Sequence, residues 1–212
     1  MAALRFTRNR FTATFLALAT GTLATLLVGV APLHAATYAL DTANSKLMFK
    51  VKHMTISTVT GRFDDFDGTF DFDPQTRKLS SVSATIQMSS VNTGTERRDA
   101  DLRSDNFFDV ENYPVATFKS TDISSIDKKG KLTIKGDLTI RGITKPVVLD
   151  AELGGEVKDS RGNSRVAFAA TGEIDRMDYG VSWDNVLETG GLVVSHEVDI
   201  ILEIEGVTKT LQ

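Results

Sequence analysis

From residue 46 to residue 206 apolar and polar side chains alternate again and again with a period of two, which confines this stretch to half-buried β-strands. Amphipathic helices would instead repeat every three or four residues. Leu47, Phe49 and Val51 alternate with Lys46, Lys50 and Lys52. Val82, Ala84, Ile86 and Met88 alternate with Ser and Thr; Leu132, Ile134, Leu138 and Ile140 alternate with Lys, Thr and Asp. Further strands are read at about 61–73, 113–124, 145–154 and 164–175. The last, at about 192–206, puts Val194, His196, Val198, Ile200, Leu202 and Ile204 on one face. Turn signals such as Asp73-Pro74, Lys129-Gly130, Arg141-Gly142 and Arg161-Gly162-Asn163 separate the strands, about eight in all. No βαβ rhythm is present, so a parallel sheet is excluded.

One stretch breaks the alternation. Between Thr93 and Arg103, Thr93 and Glu96 have capping-box spacing, which predicts a short helix after the third strand. It is expected to pack through Ala100 and Leu102 across a barrel rim or a sheet end. The resulting fold class is all-β: an eight-stranded antiparallel sheet closed into a barrel, with a sandwich as the alternative. Strands of about 10 to 13 residues, longer than the usual five or six, favour the barrel.

The first 35 residues belong to a different pattern. Arg5, Arg8 and Arg10 precede an uncharged apolar run from Phe11 to Val30, and Ala-Pro-Leu-His-Ala-Ala follows at 31–36. This is the layout of a secretory signal peptide cleaved after Ala35 or one residue later. An uncleaved membrane anchor is the alternative, which Pro32 and the interspersed Thr and Gly disfavour. The absence of an Arg-Arg pair points to the general secretory route, and hence to the periplasm. Residues 36–212 then form one domain carrying 21 basic and 28 acidic residues, a net −7 where the whole chain has −4. No membrane-spanning segment is expected to remain after cleavage.

That acidity argues against a nucleic-acid partner, whose phosphates call for Lys and Arg. The complete absence of cysteine removes disulfides, thiol nucleophiles and Cys-ligated metals. The acidic run Asp64, Asp65, Asp67, Asp71 and Asp73 lacks EF-hand spacing and reads as a solvated strand face. No Gly-x-Ser-x-Gly elbow accompanies His53 or His196, the two histidines of the domain, so serine-hydrolase chemistry finds no support. A hydrolase built on rim carboxylates stays open as an alternative, as does a stress factor with a packed, ligand-free barrel. Arg97, Arg98 and Arg103 form a candidate cationic patch on the helix. Aromatic supply is the strongest remaining signal: nine Phe lie beyond the export signal, concentrated at 63–72 and 107–108. As core they need no ligand; as lining they suit a long hydrocarbon.

The blocks His53-Met-Thr-Ile-Ser-Thr-Val-Thr-Gly-Arg-Phe63, Phe66-Asp-Gly68, Arg98-Asp-Ala-Asp-Leu-Arg-Ser104, Asn106-Phe-Phe-Asp109, Tyr113-Pro-Val-Ala-Thr-Phe118, Gly136-Asp-Leu-Thr-Ile-Arg-Gly-Ile-Thr-Lys-Pro-Val147 and Asp175-Arg-Met-Asp-Tyr-Gly180, in this order, resemble the YceI family of secreted bacterial proteins. The resemblance implies a lipocalin-like barrel holding a polyisoprenoid or similar long-chain lipid, often in a homodimer. It also implies a carrier or storage role, sometimes linked to stress, with no established catalysis and no cofactor beyond a polyprenyl or quinone-like ligand. Phe49, Val51, Phe70, Phe72, Phe118, Phe168, Ile200 and Leu202 are the candidate walls. His53, Arg98, Asp101 and His196 are the candidate polar contacts, while Arg176, Asp178 and Tyr179 are expected to fix a turn. One departure stands out: the family commonly has His where this chain has Asp101. If that position meets a head group, an anion there favours a neutral quinone-like ligand over a phosphorylated one.

Overall fold

The computed structural model describes residues 35–183 and 193–208, so the expected export signal lies, but for its last residue, outside the described residues. The strands are β1 (Ala36–Leu40), β2 (Lys46–His53), β3 (Ser57–Phe63), β4 (Phe66–Asp73), β5 (Lys78–Gln87), β6 (Val91–Asn92), β7 (Val115–Ile123), β8 (Lys131–Ile140), β9 (Ile143–Lys158), β10 (Ser164–Asp175) and β11 (Val194–Val207). A single α-helix among the described residues, α1 (Glu96–Arg103), follows β6. No described helix is long and apolar enough to cross a membrane.

The eleven segments make eight staves. β1 with β2, β3 with β4, and β5 with β6 are each one broken stave, because the paired segments face the same neighbours in nearly continuous register. Each of β7 to β11 is a complete stave, and every stave pairs antiparallel with the next in sequence. β11 returns to the first stave, meeting β2 along Leu47–Val51 and β1 at Ala39↔Val207 and Leu40↔Gly206. The sheet is therefore a closed antiparallel barrel, and closure removes the edges that a sandwich would leave exposed. At the break between β1 and β2, the buried Ser45 Oγ donates to the Glu205 carbonyl (3.2 Å) and accepts from the Glu205 N–H (2.9 Å), replacing the missing ladder bonds.

Three sequence expectations change in detail. The second stave starts at Ser57 rather than near 61, and the short β1 was not foreseen. The capping box does not form: Thr95 is the N-cap, and Thr93 instead gives its N–H (2.8 Å) and hydroxyl (2.5 Å) to the buried carboxylate of Asp99. Ala100 is exposed, so of the two expected packing residues only Leu102 turns inward.

Up-and-down connectivity gives the barrel two unlike ends. One carries the start of β1 and the turns at 74–77, 124–130 and 159–163; there Tyr38, Phe72 and Val166 are fully buried and Leu79 nearly so. Tyr38 stacks on Phe70 at 5.2 Å, and Phe70 and Phe72 meet Phe168 edge-on at 5.6 and 5.7 Å. Burial on this scale stabilises by about 1.5–3 kcal/mol per large side chain, so this end is a solid plug. Outside the plug, Arg165 Nη1 reaches Asp41 (2.6 Å) and Glu205 (2.5 Å), while its Nε reaches Asp159 (3.1 Å), tying three chain segments together. The opposite end carries the turn at 54–56, α1 with the segment to 114, the turn at 141–142 and the segment after β10. Inward residues there, such as Phe49, Val51, Ile140, Ile174 and Val198, are only half-buried, because the barrel is hollow behind them.

Candidate functional site

The hollow is a cavity of about 260 Å³. An apolar cavity of roughly 150 Å³ already stays dry and takes up benzene, so this one is large enough to hold an organic molecule. Its floor is Phe70, Phe168 and Leu79, and its walls are the inward positions of β2, β5 and β7 to β11. Leu102 of α1, Phe107 and Phe108 cover one side of the open end, and Tyr179 and Val181 another. Arg141 holds the aromatic pair in place by donating to the carbonyls of Asp105 (2.9 Å) and Phe107. Phe108 then packs on Phe63 at 5.9 Å between ring centres.

Two of the wall phenylalanines depend on a strand glycine beside them. The Phe49 ring lies across Gly61, its partner on β3, so closely that a Cβ at Gly61 would sit 2.2 Å from Cζ. The Phe118 ring lies across Gly136 in the same way, at 2.4 Å. An interior strand glycine often marks such a close approach.

Seven of the twelve residues expected from the sequence line the cavity: Phe49 and Val51 on β2, Phe70 on β4, Phe118 on β7, Phe168 on β10, and Ile200 and Leu202 on β11. Five do not. Phe72 points inward but two residues deeper, within the plug, where it is 0% exposed. His53 stands at the end of β2, past Val51, the last wall position of that strand. His196 falls in a register irregularity: Val194 faces His53 and Val198 faces Val51, so four residues of β11 span two of β2, and the alternation is lost at His196. Arg98 turns back on the chain before α1, donating to Thr93 Oγ1 (2.7 Å), the Thr93 carbonyl (2.9 Å) and Thr95 Oγ1 (3.3 Å). Asp101 is exposed on the helix and does not line the cavity, which takes away the argument for a neutral ligand built on it. Of the expected cationic patch, Arg103 too is committed locally, donating to the Ser89 carbonyl (3.0 Å) and to Glu96 (3.4 Å), while Arg97 is exposed.

The described lining includes just three residues with polar side chains. Ser83 turns its hydroxyl to Thr69 at 3.2 Å. Arg176, 5% exposed, donates to the carbonyls of Val181 (2.5 Å), Trp183 (2.8 Å), Ser195 (2.9 Å) and Val194 (3.2 Å), clamping the segment after β10 to the start of β11. That is the turn-fixing role expected of it. Tyr179, expected to share that role, lines the cavity instead, and burial together with the nearby Asp178 pushes its phenol up to about 12.

The YceI-like domain matches residues 38–206, from β1 to the penultimate residue of β11. The chain belongs to the YceI family. Protein YceI of Salmonella newport is 40% identical over 191 residues, covering 89% of this chain and 95% of its own. A Campylobacter jejuni YceI crystal structure superposes with a TM-score of 0.66 at 34% identity, covering 75% of this chain and 90% of that one. A polyisoprenoid binding domain from Saccharophagus degradans shares the YceI fold, with a TM-score of 0.57 at 20% identity over 83% of this chain and all of the domain.

Proposed function

We propose that this YceI protein is a carrier, not an enzyme, and that it holds one long-chain isoprenoid or related amphiphilic lipid inside the barrel. The observation that carries the reading is the cavity itself: a lining that is hydrocarbon but for Ser83, Arg176 and Tyr179 among the described residues, plugged at one end and covered by aromatic side chains at the other. Each buried methylene contributes about 0.8 kcal/mol, so ten would contribute roughly 8 kcal/mol before ordering costs, enough for retention without any charged contact. The S. degradans domain, described as polyisoprenoid binding, lends the same fold to this reading.

The carrier works in the periplasm, delivered by the export signal. The start of β1 at Ala36, whose partner across the sheet is Phe72, supports this, because cleavage after Ala35 would leave the first stave whole. The homodimer that the family resemblance implies belongs to the same proposal; light scattering on the purified mature chain tests it. The lipid itself is tested by mass spectrometry of an organic extract from natively purified protein. A stoichiometric isoprenoid or acyl lipid is expected. A clean extract, together with failure to take up any prenyl lipid, would overturn the proposal.

A further inference from the structure

We infer that the Tyr179 hydroxyl donates a hydrogen bond to an uncharged oxygen acceptor, a carbonyl or ether, on the molecule held in the barrel. The inference rests on the lipid-binding reading above and narrows its ligand. Tyr179 ends the 3-10 turn Arg176–Tyr179 and is 1% exposed. It packs among Leu138, Val147 and Val181, with Phe107, Ile174 and Ile200 around them. None of these side chains offers an acceptor, and the hydroxyl is buried with no hydrogen-bond partner among the described residues. A phenylalanine would fill the same volume without that penalty, because an unpartnered buried hydroxyl destabilises the empty protein. Water does not solve the problem, since a buried water needs two to four polar partners of its own. The missing acceptor has to arrive with a ligand, and Tyr179 is a lining residue.

Local electrostatics select an uncharged acceptor. All three guanidinium nitrogens of Arg176, the lining cation, already donate to backbone carbonyls. Asp178 adds a negative charge next to Tyr179 and, with burial, keeps the phenol protonated, and so a donor, far above neutral pH. A buried phosphate or carboxylate would therefore find no lining cation with a nitrogen not already donating, whereas a carbonyl or ether asks only for the one donor that Tyr179 offers.

The test compares two probes on delipidated mature protein: farnesylacetone, a terpenoid ketone, and the hydrocarbon in which methylene replaces its carbonyl. Each is partitioned, radiolabelled, between the protein and phosphatidylcholine vesicles. Tyr179→Phe is expected to weaken ketone binding about tenfold, the worth of one buried hydrogen bond, while leaving the hydrocarbon within about twofold. The empty variant should also melt higher than the wild type. In the wild type alone, the infrared carbonyl stretch of bound ketone should lie below its value in alkane solvent. An unshifted stretch, or equal weakening of both probes by Tyr179→Phe, would overturn the inference and leave the carrier reading standing. If the wild type takes up neither probe, the carrier reading fails, and this inference with it.

Discussion

Replacing Gly61 or Gly136 by alanine probes the same kind of contact with unequal expected outcomes. At Gly61 the new methyl would lie 2.2, 2.6 and 2.9 Å from three ring atoms of Phe49 and against nothing else so close. Carbon atoms pack at about 3.5–4.0 Å, so the ring must retreat by roughly 1.5 Å, and the space behind it is the cavity. Overpacking costs about 1–3 kcal/mol, here at its lower end, and replacing a strand glycine returns about 0.5–1 kcal/mol of backbone entropy. Gly61→Ala should therefore lower stability by no more than about 1 kcal/mol, or about 2–4 °C in Tm. At Gly136 the methyl would meet the Phe118 ring at 2.4 Å and also the Lys119 carbonyl oxygen at 2.7 Å, which is backbone in the ladder between β7 and β8. That atom cannot retreat without breaking pairing, so about 2–3 kcal/mol or more is expected. Binding should behave differently: the displaced Phe49 ring takes the space of one or two ligand methylenes, about 0.8 kcal/mol each, and weakens farnesylacetone about fourfold to fifteenfold. Urea unfolding and the vesicle partition assay measure both. Equal destabilisation by the two substitutions, or full affinity in Gly61→Ala, would refute the reasoning.

Acid should loosen the plugged end first. The side-chain amide of Asn163, then Arg165, hold the Asp159 carboxyl at about 2, and Arg165 with Asn44 also lowers Asp41. Carboxyls depressed in the folded state stabilise it above their ordinary value near 4, and that contribution is lost as pH falls through the folded value. The urea midpoint should hold steady from neutrality to about pH 5 and fall between about pH 4 and 2, less steeply in Asp159→Asn; a midpoint unchanged over that interval would contradict the assignment. Arg176→Gln strips a buried guanidinium from four carbonyls and should cost about 3–5 kcal/mol, seen as a Tm lower by roughly 6–20 °C. Exported protein should begin at Ala36 by intact-mass measurement, and Ala35→Arg should leave the precursor uncut.

The alternation that makes the barrel legible in the sequence also located most of the cavity wall, since on β2, β8, β10 and β11 the inward residues are those of the apolar parity. It failed where parity stops carrying information. His196 shares the apolar parity of β11, but the irregularity opposite His53 and Val51 takes it off the wall, and no local signal in Val194-Ser-His-Glu-Val198 announces it. Phe72 shares parity with Phe70 yet belongs to the plug, because depth along the barrel axis is not encoded in alternation. Arg98 and Asp101 were placed by family likeness, and their true partners, Thr93, Thr95 and solvent, depend on how α1 is capped. Phe107 and Phe108, noted as a cluster but not assigned to the site, reach it from a segment without periodicity. Tyr179 was hidden by its motif, in which Arg176 and Gly180 do make a turn. The strand glycines at 61, 136 and 206 carry a further signal, each marking a phenylalanine ring that lies close against the sheet.

The two ends of the barrel divide the work that a single core does in most small domains. At the plug, large aromatics interlock and Arg165 draws carboxylates from three segments onto one guanidinium, so the packing of this end does not depend on what fills the cavity. At the open end, inward apolar residues remain half-buried and the Tyr179 phenol has no partner among the described residues, which costs stability that a bound lipid would restore. With no cysteine to staple it, the chain can leave that end underpacked because closure, achieved by β11 on both β1 and β2, holds the staves in register. A bound lipid would therefore shift the stability of that end against a fixed background, and its effect on melting would report occupancy.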